Sequence, residues 1–322
     1  MRRVAGYLLL FLGVFLLVLG VLAKFYMYPR LAKAPLDNYS VTVSEAPGST
    51  YLNIGELELE RDALLRARRV VRGDVRAAKR AGADDTAVFD VFVAIETGEG
   101  KLVSSNTDRV AFDRKTSQAK NCCGENVNGD TNVKHQGIEY KFPFDTKKRS
   151  YQYFDTSLLR ATEMKYEATE KIAGLTVYKF VQRIEPTEIA KLNVPGSLVG
   201  REDLPNINVG RFYSNVRTVW VEPKTGAIVK GQEEQLSTLR DSAGADLLEI
   251  TKANLVFTDQ TIKEQSDKAK DGLKSLNLIG STVPVVGPIL GLLLALGGWL
   301  LLRRGPRSGR HAEVRAEETA EV

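Results

Sequence analysis

The sequence predicts a membrane-anchored, β-rich (α+β) extracytoplasmic domain with a mainly antiparallel sheet, flanked by N- and C-terminal transmembrane helices. Three observations carry this prediction. An uncharged apolar run of helix-spanning length stands near each end, and the segment between holds alternating or β-branched stretches at hairpin spacing. The predicted organisation is a cytoplasmic N-terminus (1–3), a first span (4–25), the β-rich domain (26–275), a second span (276–302) and a cytoplasmic basic and acidic tail (303–322).

Residues Val4 to Ala23, VAGYLLLFLGVFLLVLGVLA, contain no charge. At about 1.5 Å per helical residue such a run crosses roughly the 30 Å of a bilayer's hydrocarbon core. Arg2 and Arg3 precede it, and Tyr26 and Tyr28 follow at interfacial depth. The alternative, a cleaved signal peptide, fits less well: the run is longer than a usual signal core, and no clear Ala-x-Ala site precedes Phe25-Tyr26-Met27-Tyr28. The second run, Leu276 to Leu302, spans best over Val283 to Leu302. Pro284 and Pro288 stand near its entry, Trp299 suits the far interface, and Arg303, Arg304, Arg307 and Arg310 follow. Arginines at both ends favour cytoplasmic termini and an external middle domain, a two-pass plasma-membrane protein. Lysines beside the spans on the other side make the local contrast modest, but long translocated domains are largely exempt from the rule.

Gly6, Gly13 and Gly20 recur every seven residues and share one helical face; Gly280, Gly287, Gly291 and Gly298 form a similar stripe in the second span. These stripes would let the helices pair through close backbone approach. Glycine is also simply common in membrane helices, so both explanations stand.

Within the middle domain, AVFDVFVAIE (Ala87 to Glu96) and LTVYKFVQRI (Leu175 to Ile184) read as strands, with Val177 and Phe180 inward and Lys179 and Arg183 outward. VRTVWVEP-KTGA-IVKGQEEQL reads as a hairpin about Glu222 to Gly226, and LLEITKANLVFT (Leu247 to Thr258) as a further strand. Glu56 to Ala81 fits either a helix or a strand entering a turn. Gln260 to Ser275 reads as a helix or stalk; Cys122 to Gln136 and Pro195 to Asn208 read as loops.

The chain carries +5, of which residues 1–3 supply +2 and the tail after Leu302 supplies +1. The modest remainder gives no field for nucleic acid, and none of its binding motifs appears. The two cysteines, Cys122 and Cys123, are adjacent, which is poor spacing for zinc. A vicinal disulfide between them leads, ahead of intermolecular bridges or free thiols. No nucleophile elbow, metalloprotease helix, phosphate loop or dinucleotide turn is present, so neither catalytic residues, cofactor nor metal site is predicted, and the chain reads as a non-enzyme. His135 reads as a solvated loop histidine, His311 lies in the tail, and Asp84-Asp85 and Glu233-Glu234 read as surface carboxylates.

One segment mixes rings and cations: YKFPFDTKKRSYQYFD, with Tyr140, Phe142, Phe144, Tyr151, Tyr153 and Phe154 interleaved with Lys141, Lys147, Lys148 and Arg149. It could contact a membrane or an amphiphilic ligand, rings against tails and cations against headgroups. Edge strands whose rings fill the core are the alternative.

The two terminal spans, VAFDRKTSQAKNCCGE (Val110 to Glu125), YKFPFDTKKRSYQYFD and GLTVYKF (Gly174 to Phe180) resemble a family of actinobacterial envelope proteins labelled porin PorA. The resemblance covers nearly the whole chain and implies a cell-envelope location and a β-rich external domain. The layout is also similar to that of class B scavenger receptors, which pass lipids through a tunnel. The leading expectation is a domain that binds or conveys a hydrophobic envelope component, a lipid or envelope glycolipid. A channel-forming subunit comes next and a structural envelope scaffold third. A pore would need oligomerised helices or an external domain that docks elsewhere, since the spans hold no charge to line a path.

Overall fold

The structure, a computed structural model, describes residues 2–303 except 83; Arg304, Arg307, Arg310, His311 and the rest of the tail lie outside the described residues. The chain separates into two compact units, one of terminal helices and one comprising Ala32–Ser275.

In the helical unit, α1 (Arg2–Leu22) runs through a π turn (Ala23–Met27) into α2 (Tyr28–Leu31). A second π turn (Leu278–Thr282) leads into α5 (Val283–Arg303), which contains Pro288. Both α1 and α5 are long and apolar enough to cross a membrane. Phe11, Val21, Leu292 and Leu293 point outward, as lipid-facing side chains would. The helices meet backbone to backbone. A Cβ added to Gly13 would lie 2.6 Å from the Gly291 carbonyl oxygen, and one on Gly298 would lie 2.6 Å from that of Gly6. Gly20 faces the Pro288 ring and Gly280 faces Tyr28. Gly287 is looser, its nearest neighbour being the Leu16 carbonyl oxygen at 3.3 Å.

The second unit is built on one eleven-stranded sheet, a half-barrel in which all neighbours are antiparallel. Five strands run outward from the sheet centre in one direction: β1 (Tyr39–Asn53), β2 (Glu58–Gly73), β3 (Thr86–Thr97), β4 (Leu102–Asp113) and the two-residue β5 (Asn126–Val127). Six more lead back from the opposite edge: β6 (Tyr151–Asp155), β7 (Arg160–Ile172), β8 (Leu175–Pro195), β9 (Asn206–Glu222), β10 (Ala227–Arg240) and β11 (Asp246–Phe257). Strands β1 and β11 pair at the centre, Tyr51 opposite Thr251. The segment Glu56 to Ala81, which fits helix or strand by sequence, holds all of β2 and then a short helix α3 (Val75–Arg80). Asp74 caps α3, its carboxylate accepting from Ala77 N at 2.9 Å. The lysine-rich stretch forms α4 (Asp259–Asn277), whose Ala269 and Leu273 pack on Val177, Trp220 and Val229. Pro195 to Asn208 is not all loop: β8 runs through Pro195 and β9 begins at Asn206.

Because β4–β5 and β6 stand at opposite edges, the chain between them must cross from one edge to the other. It does so through its own backbone bonds. Phe112 bridges Ala119, whose N–H donates to the Gly137 carbonyl at 2.8 Å. Ile138 N then donates to Gln152 O at 2.8 Å, and Phe154 N to Ile138 O at 2.9 Å. This covers edges that would otherwise expose unpaired backbone groups.

Candidate functional site

The edge-crossing segment carries the residues that sequence reasoning singled out, but places them differently from the expectation. Phe142, Tyr151 and Tyr153 are buried in one cluster with Ile138, Met164, Phe180, Val219 and Val221. Phe142 lies 4.7 Å from Phe180 ring to ring, and Phe154 is packed with Val127 and Val133. The buried rings take the alternative role anticipated from the sequence, rings that fill the core, while Tyr140 and Phe154 also line a small cavity. Alternation along β6 turns Tyr151 and Tyr153 into the core, while the crossing segment covers Phe154 on the other face. Tyr140 and Phe144 are half-buried, and Lys147, Lys148 and Arg149 stay exposed. Lys148 Nζ sits 5.1 Å over the Tyr178 ring and Arg149 lies 5.2 Å from the Tyr151 ring, so the cations cover rings from outside.

Cys122 and Cys123 form a vicinal disulfide in a turn where Cys123 has φ +68° and Gly124 φ +76°. They pack against Ala77, Ala78, Val88 and Ala111, and the Cys123 carbonyl accepts from Arg109 Nε at 3.0 Å.

His135 is not solvated. It is 2% exposed and is enclosed by three carboxylates. Asp108 comes from β4, held opposite Val127 in the β4–β5 ladder; Glu125 stands just before β5, and Glu139 follows His135 on the crossing segment. His135 Nε2 lies 2.8 Å from Asp108 Oδ1 and 3.9 Å from Glu139 Oε2, while Nδ1 lies 3.2 Å from Glu125 Oε2. The ring stacks 4.5 Å from Phe154, and Tyr140 donates its hydroxyl to Asp108 Oδ2 at 2.6 Å. Burial opposes the imidazolium, yet the hydrogen bonds and charges of Asp108 and then Glu125 outweigh it and hold His135 above its ordinary value. Burial, reinforced by the Asp108 charge, drives Glu139 well above the usual carboxylate range. One donor atom each from Asp108, His135 and Glu139 lies within 4.8 Å of the others, a set that can share a proton or a divalent ion.

A second buried polar group extends from this one along the inner face of the sheet. Arg217 on β9 donates to Gln182 Oε1 at 2.7 Å and pairs with Asp155 at 2.9 Å and Glu233 at 3.2 Å. Arg69 on β2 reaches Glu233 at 3.4 Å and lies 5.9 Å from the Tyr140 ring, linking the two groups. Although burial opposes it, Arg217 and Arg69 hold the Glu233 carboxyl down to about 2. Glu233 is therefore an interior residue, contrary to the surface expectation, and only Glu234 beside it is exposed. Strand parity carried the missed signal. Val221 and Val219 face inward, so Arg217 and Asn215 fall on the same face at period two, with Glu233 directly opposite Arg217. Nothing comparable marks His135, whose burial depends on contacts from three separate segments.

The fold has therefore buried polar groups beside its apolar core clusters, an outer surface of charged strands and two apolar terminal helices. Comparison with known proteins adds the family. The sequence profile of Porin PorA matches residues 5–300, nearly the entire chain. The chain belongs to the Porin PorA family. A Porin PorA of Corynebacterium resistens is 27% identical over 424 aligned residues, covering 98% of this chain and 100% of that protein. A Porin PorA of Corynebacterium amycolatum is 26% identical over 373 residues, covering 91% of this chain and 97% of that protein. The residues quoted above as resembling the family lie within the matched span.

Proposed function

We propose that the chain is a subunit of a cell-envelope pore, anchored by α1 and α5 and conducting only when several copies assemble. The observation that carries this reading is family membership along nearly the whole chain, with relatives named Porin PorA. The outward faces of the strands bear on how such a pore would be built. Arg68 and Arg72 on β2, and Glu163, Lys165 and Lys171 on β7, are exposed. A charge on the lipid face of a transmembrane barrel costs up to about 2–4 kcal/mol near the midplane. The strands therefore suit water, and the helices suit the bilayer. Two apolar helices packed on each other enclose no aqueous path, which is why the reading requires an assembly.

On this reading the sheet domain faces the oxidising side, which the Cys122–Cys123 disulfide supports, and Arg2, Arg3 and Arg303 favour cytoplasmic helix ends. On the same reading the chain is not an enzyme. Lipid handling loses the surface on which it rested, because the rings of 140–155 are largely interior. The test is planar-bilayer recording of the purified full chain, with native mass spectrometry of the same sample. Discrete conductance steps from a defined oligomer are expected. A silent monomer retaining one lipid species at fixed stoichiometry would overturn the pore and restore lipid handling.

A further inference from the structure

We propose that Asp108, His135 and Glu139 form a binding site for one divalent transition ion of the zinc class. The inference is independent of the pore reading and rests on the geometry of the edge-crossing segment.

The first observation is the donor set. Zinc binds imidazole nitrogen and carboxylate oxygen at about 2.0–2.2 Å, so neighbouring donors of a tetrahedral site stand roughly 3.3 Å apart. The separations from His135 Nε2, 2.8 Å to Asp108 Oδ1 and 3.9 Å to Glu139 Oε2, bracket that value. Small rotations of two carboxylates would equalise them.

The second observation is independent and points to a missing partner. Glu139 is 8% exposed, and its Oε2 is buried and accepts no hydrogen bond, although it faces the imidazole. A buried carboxyl oxygen left without a partner is costly, and a bound cation would supply one.

The third is the outer layer. Metal-bound histidines usually donate their second N–H to a carboxylate, which fixes the tautomer and the ring plane. Glu125 Oε2 stands 3.2 Å from Nδ1 in that role, and the Tyr140 hydroxyl holds the other oxygen of Asp108 at 2.6 Å. A cavity of about 10 Å³, lined by His135, Glu139, Tyr140 and Phe154 among others, adjoins the group. That is room for about one water as a fourth ligand.

Charge favours the same conclusion. Three carboxylates surround a single imidazole in a buried space. Zinc binds neutral imidazole and ionised carboxylate, so its uptake displaces whatever protons these groups hold. Imidazole in the set favours zinc over the all-oxygen preferences of calcium and magnesium. The bound ion would fasten the crossing segment to β4, and with it one sheet edge to the other.

The experiment is titration of the full chain, chelator-treated in detergent, with Zn²⁺ by calorimetry in two buffers of different ionisation enthalpy. One Zn²⁺ per chain is expected, with protons released on binding and no competition from excess Mg²⁺ or Ca²⁺. Glu125→Gln should weaken binding about 10–100-fold, the usual loss for an outer-layer partner, and Glu139→Gln should weaken it further. Glu139→Gln keeps the side chain's size, and its circular dichroism should match the parent. Co²⁺ in place of Zn²⁺ should give visible ligand-field bands that Glu139→Gln abolishes. Failure of the parent chain to bind Zn²⁺, or unchanged affinity in a folded Glu139→Gln variant, would overturn the proposal.

Discussion

Replacing Arg217 by Met tests whether the polar interior of the sheet acts as one electrostatic unit. Arg217 is nearly enclosed, its side chain 11% exposed, and it faces Asp155 at 1% and Glu233 at 16%. Met retains much of the volume but removes the cation that both carboxylates need. Breaking a buried pair by deleting one partner typically costs about 3–5 kcal/mol, because the remaining charge is left uncompensated. Two carboxylates here depend on Arg217, with only Arg69 left near Glu233, so the upper part of that range is expected at pH 7. The loss should shrink as pH falls, since protonated carboxyls need no cation. Chemical unfolding of the full chain in detergent, followed by Trp220 fluorescence in a Trp299→Phe background, measures both quantities. A loss below about 1 kcal/mol at pH 7, in the range of an exposed ion pair, would refute the network. So would a loss that does not change with pH.

The remaining predictions address other parts of the chain. Glu233 has its carboxyl depressed from 4.5 to about 2. Its contribution, about 3 kcal/mol at 1.36 kcal/mol per pKa unit, is therefore present above pH 4.5 and lost as pH falls towards 2. A Glu233→Gln chain should show a flatter acid limb of stability over that window; an identical limb would exclude Glu233 as its source. Gly13→Leu should force α1 and α5 apart, since even a Cβ would lie 2.6 Å from Gly291 O, whereas Gly287→Leu should perturb less. Spin labels at the outward positions Tyr7 and Trp299 should report a longer distance for the first variant and a smaller change for the second. Equal distances in both would remove the glycine contact as the reason the helices pair. Cys122 and Cys123 should resist iodoacetamide until a reductant is added, and labelling without reductant would show free thiols.

Elements that depend on local chemistry were legible before the fold was known. The apolar runs, the strand at Ala87 to Glu96 and the hairpin turn closed by Gly226 follow from length, period and turn residues. Gly13, Gly291 and Gly298 lie at close backbone contacts between α1 and α5, while Gly287 fits more loosely. Residues whose environment is assembled from distant segments were not legible. His135 sits in a polar, Gly- and Asn-rich stretch that reads as solvated, and only the pairing of β4 with β5 and the cover of Phe154 bury it. The aromatic segment was ambiguous for a related reason. Rings beside cations suit an interface and a strand edge equally, and the choice depends on where the connection between the two sheet edges lies. The Arg217–Glu233 pair stands between these cases, because parity from Val219 and Val221 would have turned both inward.

The most direct test of the central claim is cysteine modification during single-channel recording. Leu293 is exposed on α5, where an assembly of copies would enclose the aqueous path, and Glu163 is exposed on β7, on a strand outside that path. The account predicts discrete currents from the full chain, altered by a thiol-reactive reagent at Leu293→Cys and unaffected at Glu163→Cys. Absence of current, or block through Glu163→Cys alone, would contradict a pore built by assembled helices.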